Sequence, residues 1–161
     1  MSKPIKKVLY AVDLGKSSKP ALSMALNLAK QNNAKLILLF VIEPLSSTAA
    51  ESVYLYFPQE SLKEMHARSI EEIKESINKQ IQDLYDEHTE KKLPDQDFEI
   101  KVLDGVPAPT IIKTADTMDV DLIVMGSHSH GVFDNLFIGS VANKVINRAT
   151  KPVLLVPIKT D

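Results

Sequence analysis

Residues 8–31 read VLYAVDLGKSSKPALSMALNLAKQ, and this stretch decides the fold class. Its first part runs from Val8 to Val12, is almost continuously apolar and ends at Asp13, which is typical of a strand buried on both faces. Turn residues follow, and from Pro20 onward alanines and leucines recur at helical spacing. The stretch therefore predicts a buried strand, a turn and a helix, with which β-α-β architectures begin.

The alternation of apolar strands and helices continues along the chain. Ser18 is available to cap the first helix. The later predicted elements are a strand at 34–42, a long loop at 44–60, an amphipathic helix at 59–88, an edge strand at 98–103, a helix after the turn at 105–108, a strand at 121–125, a helix opened by Gly139 and Ser140, and a last strand at 153–156. Because strands this apolar do not suit a one-faced antiparallel sheet, we predict a doubly wound α/β domain over residues 1–161, with five parallel strands and helices on both faces.

Composition narrows the class of protein. The chain has 161 residues, which suits one domain, and its formal net charge of -2 supplies no basic field for a nucleic-acid partner. It has no cysteine, which excludes disulfides and thiolate chemistry. The N-terminal residues lack a signal-peptide pattern, and no apolar run is long enough for a membrane span. We therefore expect a soluble cytoplasmic protein that works without a membrane.

The chemistry is expected in the loops after strands 1 and 4, since open α/β sheets bind ligands beyond the carboxyl ends of strands where the winding reverses. Gly126 and Gly131 have the glycine spacing of a phosphate-binding P-loop, but Val132 and Phe133 replace its Lys-Ser/Thr pair. No G-x-G-x-x-G follows strand 1 either. Both standard nucleotide fingerprints are therefore absent.

A different spacing remains. Gly126, two residues, Ser129, nine residues and then Gly139-Ser140 resemble the G-x2-G-x9-G-[S/T] motif of ATP-binding members of the universal stress protein family, with Ser129 in place of the second glycine. The neighbourhoods 138–141 and 151–157 are also similar to that family. The resemblance spans residues 5–158. It implies a Rossmann-like fold of the adenine nucleotide alpha hydrolase type, with strand order 3-2-1-4-5.

The resemblance also implies a set of site residues. The phosphates of ATP would be received at Gly139, Ser140 and Val141, and Asp13 would contact the ribose. Adenine would face Val41, with apolar cover from Met125. The full set of residues expected at the nucleotide is Asp13, Val41, Met125, Gly126, His128, Ser129, Gly139, Ser140 and Val141. The family dimerises through its last strand, so a homodimer through 153–156 is expected as well.

The amides at the start of a helix have no partner within the helix and favour anions, which supports a phosphate-binding position at Gly139-Ser140. The candidate loops contribute only Lys16 nearby, with Lys144 and Arg148 further inside the helix. We therefore expect Mg²⁺ or Mn²⁺ to accompany ATP, coordinated mostly by phosphate and water, with no metal cage built by the protein.

Several alternatives stay open. Asp13 can simply cap the turn after strand 1. Ser129 carries a Cβ where the motif has none, so the chain can also be an interaction module that does not bind ATP. A slow ATP hydrolase is the third hypothesis, since the loop has no arginine. His128 and His130 form an H-x-H pair with too few neighbouring ligands for zinc, so no metal site and no catalytic residue is predicted.

Outside the two loops, the expected roles are mostly structural. His66 is expected on the buried stripe of the long helix, and His88 near its end. An aromatic group at 54–57 either covers the nucleotide or packs locally.

Overall fold

The computed structural model describes residues 3–15, 18–87, 97–127 and 138–158, and these residues build one five-stranded sheet. The strands are β1 (Lys7–Ala11), β2 (Lys35–Ile42), β3 (Phe98–Asp104), β4 (Leu122–Gly126) and β5 (Val153–Val156). Their order in the sheet is β3-β2-β1-β4-β5, and every neighbouring pair is parallel. The predicted class, strand order and edge position of β3 are confirmed.

The helices in the described ranges are α1 (Lys19–Asn32), α2 (Ser47–Tyr56), α3 (Gln59–Glu87), α4 (Pro107–Thr117) and α5 (Ser140–Arg148). None of them combines the length and apolar character that crossing a bilayer requires. Two buried clusters flank the sheet: α1 and α3 pack with Val8 and Tyr10 on one face, and α4 and α5 pack with Leu9 on the other. The alternation along β1 follows from the two-residue period of a strand. Helices on both faces explain why the strands are apolar on both sides.

The segment 44–60 differs from the prediction, since it contains α2 where a loop was expected. Ser46 begins this helix by accepting a hydrogen bond at its Oγ from the Ala49 amide, 3.3 Å away. No residue of α2 is buried. The prediction relied on apolar segments that pack into the core, and it missed this short helix because the helix packs outside the core.

Two predicted side-chain roles are wrong. Ser18 occupies the cap position of α1, but its hydroxyl donates to the Gly15 carbonyl at 2.7 Å and makes no cap hydrogen bond. His66 is not on the buried stripe of α3: its side chain is 45% exposed, and its Nε2 lies 2.8 Å from Asp104 Oδ1 at the end of β3. The buried stripe of α3 begins further along, at Ile77.

Two connections hold the elements around the carboxyl end of the sheet. Gly105, with a φ of 155°, makes the turn from β3 into α4, and its amide donates to the Ile42 carbonyl at 2.9 Å. A Cβ at this position would collide with the Thr110 side chain, so glycine is required here. Ser127 joins the ends of β4 and β5, since its Oγ accepts a hydrogen bond from the Ile158 amide at 2.9 Å.

Candidate functional site

A cavity of about 410 Å³ lies beyond the carboxyl ends of β1, β2 and β4. Its size is within the range of small-molecule sites. Seven of the nine residues predicted at the nucleotide line it, and they come from four separate segments of the chain. These residues are Asp13, Val41, Met125, Gly126, Gly139, Ser140 and Val141. The other two, His128 and Ser129, lie outside the described residues.

Asp13 presents one satisfied and one unsatisfied carboxylate oxygen. Its Oδ1 accepts a hydrogen bond from the Gly15 amide at 2.9 Å, which is the turn-capping role considered from the sequence. Its Oδ2 is buried and has no hydrogen-bond partner among the described residues. A buried carboxylate oxygen without a partner is costly, and it is a position that a donor on a ligand can satisfy.

Tyr10 lies close to Asp13 and was not predicted as a site residue. Its side chain is 1% exposed, and it lines the cavity with its hydroxyl against the Asp13 amide and the Ser18 side chain. Burial, and after it the charge of Asp13, raise the pKa of Tyr10 far above its ordinary value of 10.0. The phenol therefore stays neutral and serves as a fixed support for the loop that carries Asp13.

The start of α5 forms one wall of the cavity. Gly139 is buried, and its amide donates to the Ser127 carbonyl at 2.7 Å, so this amide is not available to a phosphate. The first hydrogen bond of the helix runs from the Asn143 amide to the Gly139 carbonyl at 2.9 Å. The amides of Ser140 and Val141 precede that bond, and no side chain among the described residues caps them. They are the donors that an anion at this helix start would meet.

Another part of the lining is apolar. Val41 and Met125, which were predicted to face the base, are joined here by Leu39 and by two residues of α4, Pro107 and Ile111. The residues of α4 could not be assigned from sequence, because the crossover that packs α4 against β2 depends on the strand order. A flat apolar ring system fits between such side chains.

The charge of the cavity is negative in the described residues. Asp13 and Glu43 line it, and no lysine or arginine does. Glu43 was not predicted as a site residue, although it follows β2 directly and a position after a strand end is visible in the sequence. No group of three His, Cys, Asp or Glu side chains that could hold a metal ion occurs in the described residues. A polyanion bound here would need positive charge from elsewhere.

The remaining candidates lie elsewhere. Tyr54, Tyr56 and Phe57 are exposed and do not line this cavity in the described structure, so they do not cover the site. Lys144 and Arg148 are on α5 but do not line it either, and His130 and Lys16 are outside the described residues. Among the described residues, the predicted site therefore has its carboxylate, its apolar wall and its helix start, and no lysine or arginine in its lining.

The comparisons with known proteins agree with one another. The model of the Universal stress protein family matches residues 4–157 of the chain. Universal stress protein MJ0577 of Methanocaldococcus jannaschii is 29% identical over the full length of both chains. Its solved structure has a TM-score of 0.72 and covers 99% of this chain and 100% of that one.

Two further solved structures contain a bound nucleotide. One is a universal stress protein in complex with cAMP, at 21% identity and a TM-score of 0.63, covering 96% of this chain and 98% of that one. The other is the universal stress protein from Archaeoglobus fulgidus in complex with dAMP, also at 21% identity, with a TM-score of 0.58 and coverage of 98% and 100%. At this identity they show a shared fold.

Proposed function

The chain belongs to the universal stress protein family, and from that premise we propose that it is a cytoplasmic regulatory protein that binds ATP in the 410 Å³ cavity. Bound nucleotide and dimerisation, rather than turnover, would carry its signal. Nucleotides bound to relatives of the same fold support this choice of ligand.

The observation that carries the proposal is the free Oδ2 of Asp13 inside the cavity. A ribose hydroxyl can donate to this oxygen, and the bond would be charge-assisted. The apolar wall that includes Val41 and Met125 suits adenine, while the amides of Ser140 and Val141 suit a phosphate. The three features lie around one space and match the three parts of a nucleotide.

A divalent cation is part of the proposal. A triphosphate beside Asp13 and Glu43 would meet two carboxylates and no described cation in the lining. Mg²⁺ or Mn²⁺ held through the phosphates and water reduces that repulsion, and this mode of binding is usual for Mg²⁺. ATP should therefore bind more tightly with the metal ion than without it, whereas the affinity for adenosine should not depend on the metal ion.

Fast catalysis is not expected. Phosphoryl transfer needs an aligned nucleophile and positive charge at the transferred group. Ser127, one of the few hydroxyls near the site, has its oxygen engaged by the Ile158 amide. We therefore propose at most slow hydrolysis, below about 1 s⁻¹.

The test is a calorimetric titration with ATP and with adenosine, each with and without Mg²⁺. In Asp13→Asn, the amide oxygen can still accept from the Gly15 amide, but the free Oδ2 becomes an NH₂ group that cannot accept. We expect Asp13→Asn to weaken adenosine binding by about tenfold or more, the effect of one hydrogen bond to a charged group. The loss for ATP should be smaller, since the substitution also removes a charge near the phosphates.

A matched control is Asp97→Asn, which changes an exposed aspartate outside the cavity lining and should leave both affinities unchanged. If Asp13→Asn binds adenosine as tightly as wild type, Asp13 only caps the turn and does not bind the ribose. Ser129→Gly tests the alternative of an interaction module. If wild type binds no nucleotide and Ser129→Gly does, the chain has lost the ligand and our proposal is wrong.

A further inference from the structure

A second cavity of about 690 Å³ lies between α2 and the first turns of α3, away from the nucleotide cavity. Leu45, Val53 and Leu62 form much of its apolar wall. Four polar side chains, Tyr54, Gln59, Lys63 and His66, also line it. Concave sites that are mostly apolar, with a few polar groups placed together, are typical of small-molecule binding.

The apolar wall faces water in this structure. Leu45 is 60% exposed and Tyr54 is 63% exposed, although both line the cavity. No residue of α2 is buried, so the helix is not packed into the core. A ligand between α2 and α3 would remove this apolar surface from water, which is favourable in proportion to the area covered.

The polar groups of the cavity are cationic or neutral. Lys63 and His66 lie one turn apart on α3, and the lining contains no aspartate or glutamate. Lys63 makes no ion pair with the described residues. Asp104, outside the lining, lies 2.8 Å from His66 Nε2 through its Oδ1. Because a carboxylate only accepts, Nε2 carries the proton of that bond and Lys63 remains the free cation at the cavity.

We propose that this cavity is a ligand site for a small amphipathic carboxylate, an unbranched or aromatic acid whose apolar body lies between α2 and α3. The carboxylate would accept a hydrogen bond from the Lys63 ammonium, with the Tyr54 hydroxyl as a second donor within the lining. A small ligand fits this cavity, since the volume is in the small-molecule range.

The position of this site relates it to the nucleotide cavity without depending on it. Glu43 lines the nucleotide cavity, and the next two residues, Pro44 and Leu45, line the second cavity. A ligand that contacts Pro44 and Leu45 can therefore act on the wall of the first site through the neighbouring Glu43. Binding of the carboxylate itself requires only α2, α3 and the two residues Pro44 and Leu45 before α2, so its test is independent of ATP.

The experiment is a calorimetric titration of the nucleotide-free protein with decanoate and with decanol, both below the concentrations at which they aggregate. Decanoate should bind one molecule per chain, and decanol should bind at least tenfold more weakly, because it lacks the charge that Lys63 recognises. Equal affinity for the two compounds, or no binding of decanoate, would overturn the proposal.

Two variants locate the site. Lys63→Met removes the ammonium, keeps an apolar side chain and should weaken decanoate about tenfold or more, with little effect on decanol. Lys79→Met removes an exposed lysine further along α3, outside the cavity lining, and should change neither affinity. If both variants weaken the binding of decanoate equally, the affinity depends on the net charge of the protein and not on Lys63, and the proposal is wrong.

Val53→Asp places a carboxylate in the apolar wall and should abolish decanoate binding. Circular dichroism checks that the variant is folded. We expect it to fold, because no residue of α2 is buried. Sedimentation of the same samples tests whether a second copy of the chain occupies the cavity. If Val53→Asp lowers the oligomeric state of the protein, these walls are an interface between copies and the proposal is wrong.

Discussion

Two neighbouring residues show how differently sequence and structure report a role. Asp13 is visible in the sequence because it ends a strand at the point where the sheet reverses its winding. Tyr10 is hidden within the apolar run of β1, where it resembles any core residue. The structure brings its hydroxyl against the Asp13 amide, and Tyr10 thereby becomes part of the support of the site. A polar atom at the end of a core side chain acquires a role only through its neighbours.

Replacement of Tyr10 by phenylalanine should destabilise the protein by about 1 kcal/mol near neutral pH, since the loop that carries Asp13 loses the buried hydroxyl that lies against it. The raised pKa of Tyr10 also makes the free energy of unfolding depend on pH. In the unfolded chain the Tyr10 phenol ionises near pH 10, whereas in the folded protein it stays neutral. The contribution of Tyr10 to the free energy of unfolding is therefore complete below pH 10 and is lost as the pH rises above it.

Urea unfolding of wild type and Tyr10→Phe at a series of alkaline pH values measures both effects. The free energy of unfolding should fall more steeply above pH 10 in wild type than in Tyr10→Phe. Tyr54→Phe is the control, because that side chain is exposed and should not alter the slope. Parallel pH curves for wild type and Tyr10→Phe would contradict the assigned pKa.

At the scale of elements, the amino ends of β1 and β4 are joined by one carboxylate. Asp121 Oδ2 accepts hydrogen bonds from the Lys6 amide at 2.8 Å and the Lys7 amide at 3.0 Å, and its Oδ1 lies 2.9 Å from Lys3 Nζ. Burial opposes ionisation of Asp121, but the bonds from Lys3 and from the two amides outweigh it and lower the pKa to about 2. This carboxylate thus stabilises the edge of the sheet opposite the nucleotide cavity.

Asp121→Asn should lower the free energy of unfolding by about 1–2 kcal/mol at neutral pH, a value discounted because Lys3 is exposed. A lowered pKa gives stability that is complete above the unfolded value of 3.8 and is lost as the pH falls toward about 2. The difference between wild type and variant should therefore shrink between these pH values. Urea unfolding on acidification measures it, with Glu75→Gln as an exposed control. A difference that stays constant to pH 2 would contradict this account.

At the scale of the whole molecule, the open edge at β5 is where we propose that two copies meet. The Pro152 carbonyl and the Val156 carbonyl accept from β4, so the alternate residues Val153 and Leu155 direct their backbone groups away from β4. β5 has β4 as its one strand neighbour in the described sheet. A short apolar strand in this position is open to pairing with a second copy.

Leu155→Pro should convert a dimer to a monomer, because proline removes an outward amide without breaking a bond to β4. Leu155→Ala is the matched control: it loses a similar part of the side chain but keeps the amide, so it should remain dimeric. Sedimentation of both variants at equal concentration measures the difference. Equal masses for the two variants would show that β5 does not pair the copies through its backbone.

The sequence alone determined the sheet and much of one site. Continuous apolar strands separated by helices specify a parallel sheet covered on both faces, and residues such as Asp13 and Gly139 stand where strand ends and helix starts are readable as local patterns. Seven predicted residues meet in one cavity for that reason: the carboxyl ends of parallel strands share one edge of the sheet.

Only the tertiary structure decided which surfaces surround those residues. The positions of Pro107 and Ile111 depend on a crossover between distant strands, and the Gly139 amide is withdrawn from the site by the Ser127 carbonyl. Helix α2 and its cavity with α3 were not predicted, because no residue of α2 is buried in the core from which the elements were recognised. Local sequence patterns reflect the conformational preference of each segment, whereas contacts between distant segments form only when the whole chain packs.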